Sequence, residues 1–373
     1  MTTVGVLGAG QLGRMLGLAG RALDLEFEFL DPAPDPPARI AGHVIAGPFD
    51  DRQALSALAA RCDVVTYEFE NVPVTAVGAL AERVPVYPAA NALETAQDRL
   101  HEKQLFERLA IPVATWHAIE TIDDLRRAAD DLGLPLVLKT RRMGYDGKGQ
   151  TIVHDGDSLH AAFERLGGRP LIAEQRVVFD REVSVIGARR KSGQVAIWPV
   201  TENRHDAGLL RWSLAPIDDQ AIIAAAHGYV ESLLSHLDYV GVLALELFVV
   251  GDRLLANEFA PRVHNSGHWT IEGAATSQFE NHLRAILDLP LGDTAASGHA
   301  IMVNLIGSMP AIPGELARAG FRLHDYGKSP RPGRKLGHIT AVADSPAARD
   351  RCLATALELL HGPVDPRVSL REP

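Results

Sequence analysis

Arg141–Gln150 reads RRMGYDGKGQ, and the stretch from Asn257 to Trp269 reads NEFAPRVHNSGHW. The first sets three glycines, Gly144, Gly147 and Gly149, around Tyr145, Asp146 and Lys148. Without a Cβ, such a loop turns its backbone N–H groups onto an anion, and Lys148 adds positive charge. Flanked by PLVLK and QTIV, it reads as the tip of a β-hairpin that folds over phosphates. The second stretch supplies Asn257 and Glu258, then a cationic and polar run of Arg262, His264 and Asn265. A phosphate-covering loop with a separate carboxylate–arginine cluster points to metal-assisted phosphoryl transfer at an ATP site.

Glu258 has a second acid near it. Glu246, in VGVLALELFVV, lies on a strand joined to RLLANEFAP by a turn at Gly251–Arg253. A two-residue turn sets Glu246 opposite Asn257 and sends Glu258 to the other face. A three-residue turn sets the glutamates directly across from each other, so one residue of slip decides whether they meet. Facing carboxylates in an apolar hairpin repel unless a cation joins them, and Mg²⁺ binds through one or two carboxylates plus phosphates. The apolar neighbours of Glu246 favour the metal over a solvent-facing acid. Lys139 ends the apolar strand PLVLK, where a buried ammonium needs an anion unless it snorkels to the surface. Glu174 and Glu182 sit at strand ends where one of them can accept from ribose hydroxyls, and His205 in TENRH is a further polar candidate.

Around these segments the chain falls into three stretches. From the N-terminus to about residue 98, VGVLGAG, EFEFLD, HVIAG, DVVTYEF and VPVYPA alternate with helical segments, the βαβ rhythm of a doubly wound parallel sheet. Gly8, Gly10 and Gly13, with Asp31 closing the second strand, match the dinucleotide fingerprint. They also suit a plain strand–helix turn, or a cradle for another ligand's phosphate. From Asp98 the pattern becomes mixed α+β, with helices opening near Asp98, Asp123 and Asp218, and Lys191-Ser192-Gly193 turning one strand pair. Strands return after Gly298, with the basic loop GKSPRPGRK between two of them and a closing helix from about Ala347 to Leu360.

Composition narrows the class. The 373 residues carry a net charge of −10, which argues against a broad nucleic-acid surface. Two distant cysteines, Cys62 and Cys352, exclude a disulfide framework and a cysteine-based metal site, and fit a reducing compartment. The strand-like start leaves no room for a signal peptide, and the longest apolar run, Val240–Val250, is too short to span a bilayer. A cytoplasmic enzyme is expected. Of 37 basic residues six are lysine, and Lys139, Lys148, Lys328 and Lys335 fall in the segments singled out for phosphate. An ammonium is a compact point charge that a planar guanidinium replaces poorly.

VLKTRRMGYDGKGQ, IAEQRV and LELFVV…LLANEFAPRVHNSGHW resemble the ATP-grasp family. Together with GAGQLGRML, TYEFENV and RPGRKLGHIT they resemble its branch that carboxylates aminoimidazole ribonucleotide with ATP and bicarbonate in purine biosynthesis. The resemblance runs from Val4 to Thr340. It implies an ATP-grasp fold of mixed α/β and α+β class: a Rossmann-like domain over 1–98, an ATP-grasp domain over 99–297 with a mobile lid near 112–178, and a small C-terminal domain over 298–373. It implies that Arg99, Lys139 and Gly144–Gln150 (Gly144, Tyr145, Asp146, Gly147, Lys148, Gly149, Gln150) hold the ATP phosphates. Glu174, Gln175, Arg176 and Val177 would meet adenine largely by backbone, with Glu182 on the ribose and His205 and Asn257 nearby. Glu246 and Glu258 would bind Mg²⁺, and Arg262, His264 and Asn265 would orient bicarbonate or carboxyphosphate. The ribonucleotide would lie against Gln11, Leu12, Glu68, Tyr145 and Asp146, its phosphate held by Lys328 and Arg334 with Arg331 or Lys335. Asp146 is the expected proton acceptor, and a homodimer is implied.

Three rivals are distinguishable. Against an ATP-grasp ligase or formyltransferase using glycinamide ribonucleotide, RVHNSGHW favours bicarbonate chemistry by resemblance, and a panel of carboxylate donors separates the two. An NAD-dependent dehydrogenase built on GAGQLG leaves the glycine–lysine loop and the paired glutamates unexplained. A nucleotide sensor without turnover has no need of so complete a site.

Overall fold

The computed structural model describes residues 1–144, 148–167, 170–311 and 313–361. Tyr145, Asp146 and Gly147 of the glycine loop lie outside the described residues.

The N-terminal stretch forms a four-stranded parallel sheet in the order His43–Ala46, Glu26–Asp31, Thr3–Leu7, Val64–Tyr67. Two of its strands, Thr3–Leu7 and Val64–Tyr67, are buried on both sides because helices cover both faces. Val4, Val6, Phe27 and Phe29 enter one core, while Leu7, Leu30, Val65 and Tyr67 enter another with the Arg52–Arg61 and Val74–Ala81 helices. VPVYPA, expected as a further strand, contributes an isolated bridge between Val65 and Val86. Pro85 and Pro88 lack the N–H groups a ladder needs.

The glycine hairpin belongs to a second, small sheet, ordered Trp116–Ile119, Leu171–Gln175, Leu136–Thr140, Gln150–Val153. The Ile122–Leu132 helix, opened by a Thr121–Asp124 capping box, packs against it with the Leu159–Arg165 helix over a separate core.

The third sheet is the frame of the molecule. It runs Arg253–Ala260, Gly241–Val250, Arg181–Arg189, Thr201–Asp206, Leu209–Ala215, His299–Ile306, Lys335–Ala343, Arg322–Asp325, with Val195–Ile197 on the side of Arg181–Arg189. The Gln220–His236 helix covers one face, and the Gln278–Ile286 helix the other. The C-terminal strands extend this same sheet: Leu209–Ala215 pairs directly with His299–Ile306. The core beneath the Gln278–Ile286 helix includes Leu12, Leu16 and Phe29, so the first sheet and the frame share one hydrophobic layer. That shared layer fixes the N-terminal turn relative to the strands carrying Glu246 and Glu258. Among the described residues no helix is long and apolar enough to cross a membrane.

Candidate active site

Between the hairpin sheet and the frame lies a cleft of about 890 Å³. Every predicted site residue that is described lines it, except Gly149. Gly149 instead shapes the hairpin tip: its φ is +72°, and a Cβ there would fall 2.6 Å from Thr140 Oγ1. Lys139 pairs with Gln150 across the hairpin, which turns Lys139 inward below the tip.

The facing of Glu246 and Glu258 has an origin that neither turn length alone supplies. Val250 pairs with Arg253, so the turn has two residues, Gly251 and Asp252. Left regular, this ladder sets Glu246 against Asn257. A bulge between Glu246 and Leu247 intervenes: Leu247 faces Ala256, Glu246 faces Glu258, and Asn257 is the extra residue. Lys103 Nζ donates to the carbonyl oxygens of Asn257 at 3.0 Å and Ala256 at 3.5 Å, so an ammonium holds the bulge in place. With no cation between the acids, burial, and then the nearby Glu258, push the Glu246 carboxyl up to about 7. Burial also opposes charge on Glu258, but Arg99, whose Nη1 lies 3.1 Å from Glu258 Oε2, holds that carboxyl below its usual range.

Behind this pair the charges are strictly arranged. Lys139 Nζ donates to Glu174 Oε2 at 3.0 Å, and Lys103 Nζ stands 3.6 Å from the same oxygen. Burial opposes ionisation of Glu174, yet the two lysines hold it at about 2. Its other oxygen, Oε1, is buried with no partner. Asp98 caps the Arg99–Arg108 helix through Leu100 N–H and takes Arg141 and Arg142 from the base of the glycine loop. Glu182 Oε2 lies 2.6 Å from His205 Nδ1 across adjacent strands. Phe248 stacks on Phe179 at a ring separation of 4.7 Å, an apolar wall at the cleft edge.

At the opposite end, Arg262 is drawn to Glu70 at 2.7 Å and to the Val263 carbonyl. His264 Nε2 stands 3.5 Å from Glu246 Oε1, and Asn265 exchanges amide hydrogen bonds with Asn304. Burial, then the cations Arg262 and Lys335, push the His264 imidazole well below its ordinary range. The glycine turn of the first sheet closes this end. Gly10 N–H and Gly13 N–H donate to the Glu68 carboxylate at 2.8 and 3.2 Å, and Ala9 N–H donates to Asp31. The seat that a dinucleotide's pyrophosphate needs is therefore filled by the protein's own Glu68, and the dehydrogenase alternative fails on geometry. Lys328 Nζ donates to Gln11 Oε1, joining the basic C-terminal loop to the N-terminal turn, with Arg331, Arg334 and Lys335 around it.

The hairpin, paired acids and basic loop thus converge on one cavity. Glu102 and Lys103, which the sequence reading did not assign to the site, belong to its inner wall. Glu102 lines the cleft and accepts from Phe259 N–H at 2.7 Å, with burial, then Glu258, pushing it up to about 8. A signal was present: Lys103 follows Arg99 by four residues on one helix face and is one of few lysines in the chain.

Comparison with known families follows the same division of the chain. Residues 1–97 match the ribonucleotide synthetase preATP-grasp domain, 104–279 the ATP-grasp domain, and 300–351 the phosphoribosylaminoimidazole carboxylase C-terminal domain. N5-carboxyaminoimidazole ribonucleotide synthase of Pseudomonas aeruginosa is 49% identical over 337 residues, 90% of this chain and 93% of the relative. The crystal structure of the synthetase from Thermus thermophilus is 51% identical, with a TM-score of 0.92 over 97% of this chain and 99% of that one. The Aspergillus clavatus enzyme, solved in complex with ADP and 5-aminoimidazole ribonucleotide, is 34% identical, with a TM-score of 0.89 over 96% and 98% of the two chains. By sequence along nearly its whole length and by fold, the chain belongs to the N5-carboxyaminoimidazole ribonucleotide synthase family of ATP-grasp ligases.

Proposed function

We propose that the cleft carboxylates the 5-amino group of aminoimidazole ribonucleotide, using ATP to activate bicarbonate, with each wall serving one reactant. The observation carrying this reading is that Glu246 and Glu258 face each other in the cavity that also holds the glycine hairpin and the Lys328–Arg334 loop. The residues fit a divalent cation. Burial, and then the facing Glu258, raise the Glu246 carboxyl, and among the described residues no group of three or more protein ligands stands ready to complete a metal shell. Glu246 and Glu258 would hold a Mg²⁺ ion, which would offset the charge of the phosphates. Lys139, Arg99 and Lys148 hold phosphate oxygens, Glu182 and His205 the ribose, and the Glu174–Val177 segment and Phe248 the adenine.

Bicarbonate is a poor electrophile, and its oxygen attacks the γ-phosphorus only where fixed cations lower anionic repulsion. ADP leaves and carboxyphosphate remains, held by Arg262, His264 and Asn265. The amine of the ribonucleotide then forms the N–C bond as the C–O bond to phosphate breaks, and a carboxylate takes the amine proton. Asp146, the residue proposed for that proton, lies outside the described residues. Gln11, Leu12 and Glu68 contact the base and ribose, while Lys328 and Arg334, joined by Arg331 or Lys335, hold the ribonucleotide's phosphate. Water must be excluded while carboxyphosphate lives. Residues 112–178 are proposed as the lid that does this, a role supported by their own sheet and own core. Division into domains at 98/99 and 297/298, a homodimeric assembly and a cytoplasmic location complete the proposal; the last two rest on family resemblance and composition.

The test is a product assay with ATP, bicarbonate and aminoimidazole ribonucleotide, each omitted in turn. ATP turnover that is unaffected by the ribonucleotide refutes the substrate. Turnover with formate and glycinamide ribonucleotide instead would favour the nearest relatives within the fold.

A further inference from the structure

We propose that Ser213, Asn203, Ser184 and Ser266 form a one-way hydrogen-bond relay that holds His264 with its ring proton on Nε2, as a donor aimed beside Glu246. This rests on the reading of the cleft above and adds four positioning residues to it, none of which contacts the reactants in that reading.

The relay lies inside the frame sheet. Ser184 pairs in register with Glu246 on one side and Thr201 on the other, and Asn203 pairs with Ser213. Ser184, Ser213 and Ser266 are fully buried and Asn203 is nearly so. Polar side chains buried this deeply must find hydrogen-bond partners inside the protein, and these four find them in one another and in His264. Ser213 Oγ donates to Asn203 Oδ1 at 2.7 Å, Asn203 Nδ2 donates to Ser184 Oγ at 2.9 Å, and Ser184 Oγ donates to Ser266 Oγ at 2.8 Å. Ser266 Oγ lies 2.9 Å from His264 Nδ1.

Hydroxyl and amide chains can in general run either way, since an amide flip reverses every bond. Here a backbone group breaks the symmetry. Ser266 N–H points at His264 Nδ1 at 3.3 Å, and a backbone N–H cannot become an acceptor. Nδ1 must therefore carry a lone pair. Ser266 Oγ can then give its proton to Nδ1, its oxygen is open to Ser184, and the direction of each bond back to Ser213 follows. A ring that accepts at Nδ1 is neutral and carries its proton on Nε2. Nε2 faces Glu246 Oε1 at 3.5 Å, inside the cleft. The opposite tautomer would present a lone pair to Glu246 and to any carboxylate or phosphate oxygen held beside it.

The experiment combines nitrogen NMR of histidine-labelled enzyme with steady-state kinetics on Ser266→Ala and Ser184→Ala; His264→Gln identifies the resonance. Wild-type His264 is expected as the neutral Nε2–H tautomer, with proton density moving toward Nδ1 in Ser266→Ala. Loss of one positioning hydrogen bond should lower carboxylation kcat about tenfold in Ser266→Ala and by a smaller factor in Ser184→Ala. KM for ATP should stay within about twofold, since in the reading above His264 orients bicarbonate or carboxyphosphate and Lys139, Arg99 and Lys148 hold the ATP phosphates. A wild-type ring protonated on Nδ1 overturns the proposal, as do two alanine variants with wild-type kcat, or an ATP KM that rises as far as kcat falls. If Ser266→Ala does not fold, the wild-type tautomer and Ser184→Ala carry the test. A wild-type enzyme inert toward the ribonucleotide would refute the substrate reading while leaving the tautomer measurement to decide the relay.

Discussion

Glu174→Gln should destabilise the protein through the two ammonium groups it leaves behind. Glu174 is 4% exposed and is shared by Lys139 and Lys103 at 3.0 and 3.6 Å. A carboxyl titrating at about 2 rather than 4.5 is favoured in its ionised form by roughly 3 kcal/mol. Lys139 moves the opposite way, since burial depresses its ammonium in spite of Glu174. The intact cluster is therefore worth less than the carboxylate's figure. Removing Glu174 alone is costlier than that net worth, because two buried cations then repel each other. The loss expected on breaking a buried pair is about 3–5 kcal/mol.

Unfolding entropy of about 2.1 cal/mol/K per residue gives about 0.8 kcal/mol/K for 373 residues, so the loss corresponds to a melting temperature lower by about 4–6 °C. Scanning calorimetry at pH 7 with and without ADP is the assay. Nucleotide should close part of the gap, because its phosphates supply the anion that Lys139 has lost. The pH dependence has a definite sign. The folded pKa lies below the unfolded one, so the Glu174 contribution is complete above about pH 4.5 and is lost as pH falls toward about 2. Wild type and variant should converge on acidification. A melting temperature within about 1 °C of wild type at pH 7, or a gap that widens as pH is lowered, refutes the reasoning.

Other perturbations separate the walls of the cleft. Glu258→Gln should abolish Mg²⁺-dependent turnover, by at least about a hundredfold in kcat, while circular dichroism shows an intact fold; retained activity would remove Glu258 from the metal. Chelation should silence the enzyme and Mg²⁺ restore it, with half-activation requiring up to about tenfold more Mg²⁺ per pH unit below about 7, where Glu246 binds a proton instead. An activation constant flat from pH 6 to 8 would contradict this. Lys328→Ala should raise KM for the ribonucleotide by about tenfold or more and leave that for ATP within about twofold; equal losses would deny the basic loop a separate role.

The fold's outline and the members of the site were legible because both depend on local pattern. RRMGYDGKGQ declares a glycine hairpin, and apolar runs bounded by turn residues declare strands. Legibility ended where a single residue of register mattered. No spacing rule reveals that Asn257 is extruded, since the bulge depends on Lys103, a residue more than a hundred positions away that binds the bulge carbonyls. The G-x-G-x-x-G match misled for a similar reason. Its glycines do line a helix N-terminus, but the anion they meet is Glu68, brought in by the neighbouring strand's end. The C-terminal strands read correctly as strands, while their joining to the frame at Leu209–Ala215 is a pairing between distant segments that periodicity does not encode.

These long-range placements share one physical consequence. Several of the described cations at the cleft stand against acids: Arg99 against Glu258, Lys139 and Lys103 against Glu174, Arg262 against Glu70, and Arg141 with Arg142 against Asp98. In the function proposed above, ATP would enter by exchange, its phosphates replacing protein carboxylates as partners of the same cations. Exchange limits the gain from charge alone, since each cation is already partly satisfied, and it leaves the displaced acids facing an anionic ligand. Glu258 is the acid most affected, because releasing Arg99 to phosphate removes the charge that keeps it ionised. In that reading a divalent cation arriving with the nucleotide would reconcile both demands, with Glu258 and Glu246 as the residues that hold it. Nucleotide affinity in this cleft should accordingly depend on Mg²⁺ far more strongly in wild type than in Glu246→Gln/Glu258→Gln, where the two facing acids are gone. Calorimetric titration of ADP with and without Mg²⁺ measures the difference, and an equal Mg²⁺ dependence in the two proteins would sink this account of how the cleft receives its triphosphate.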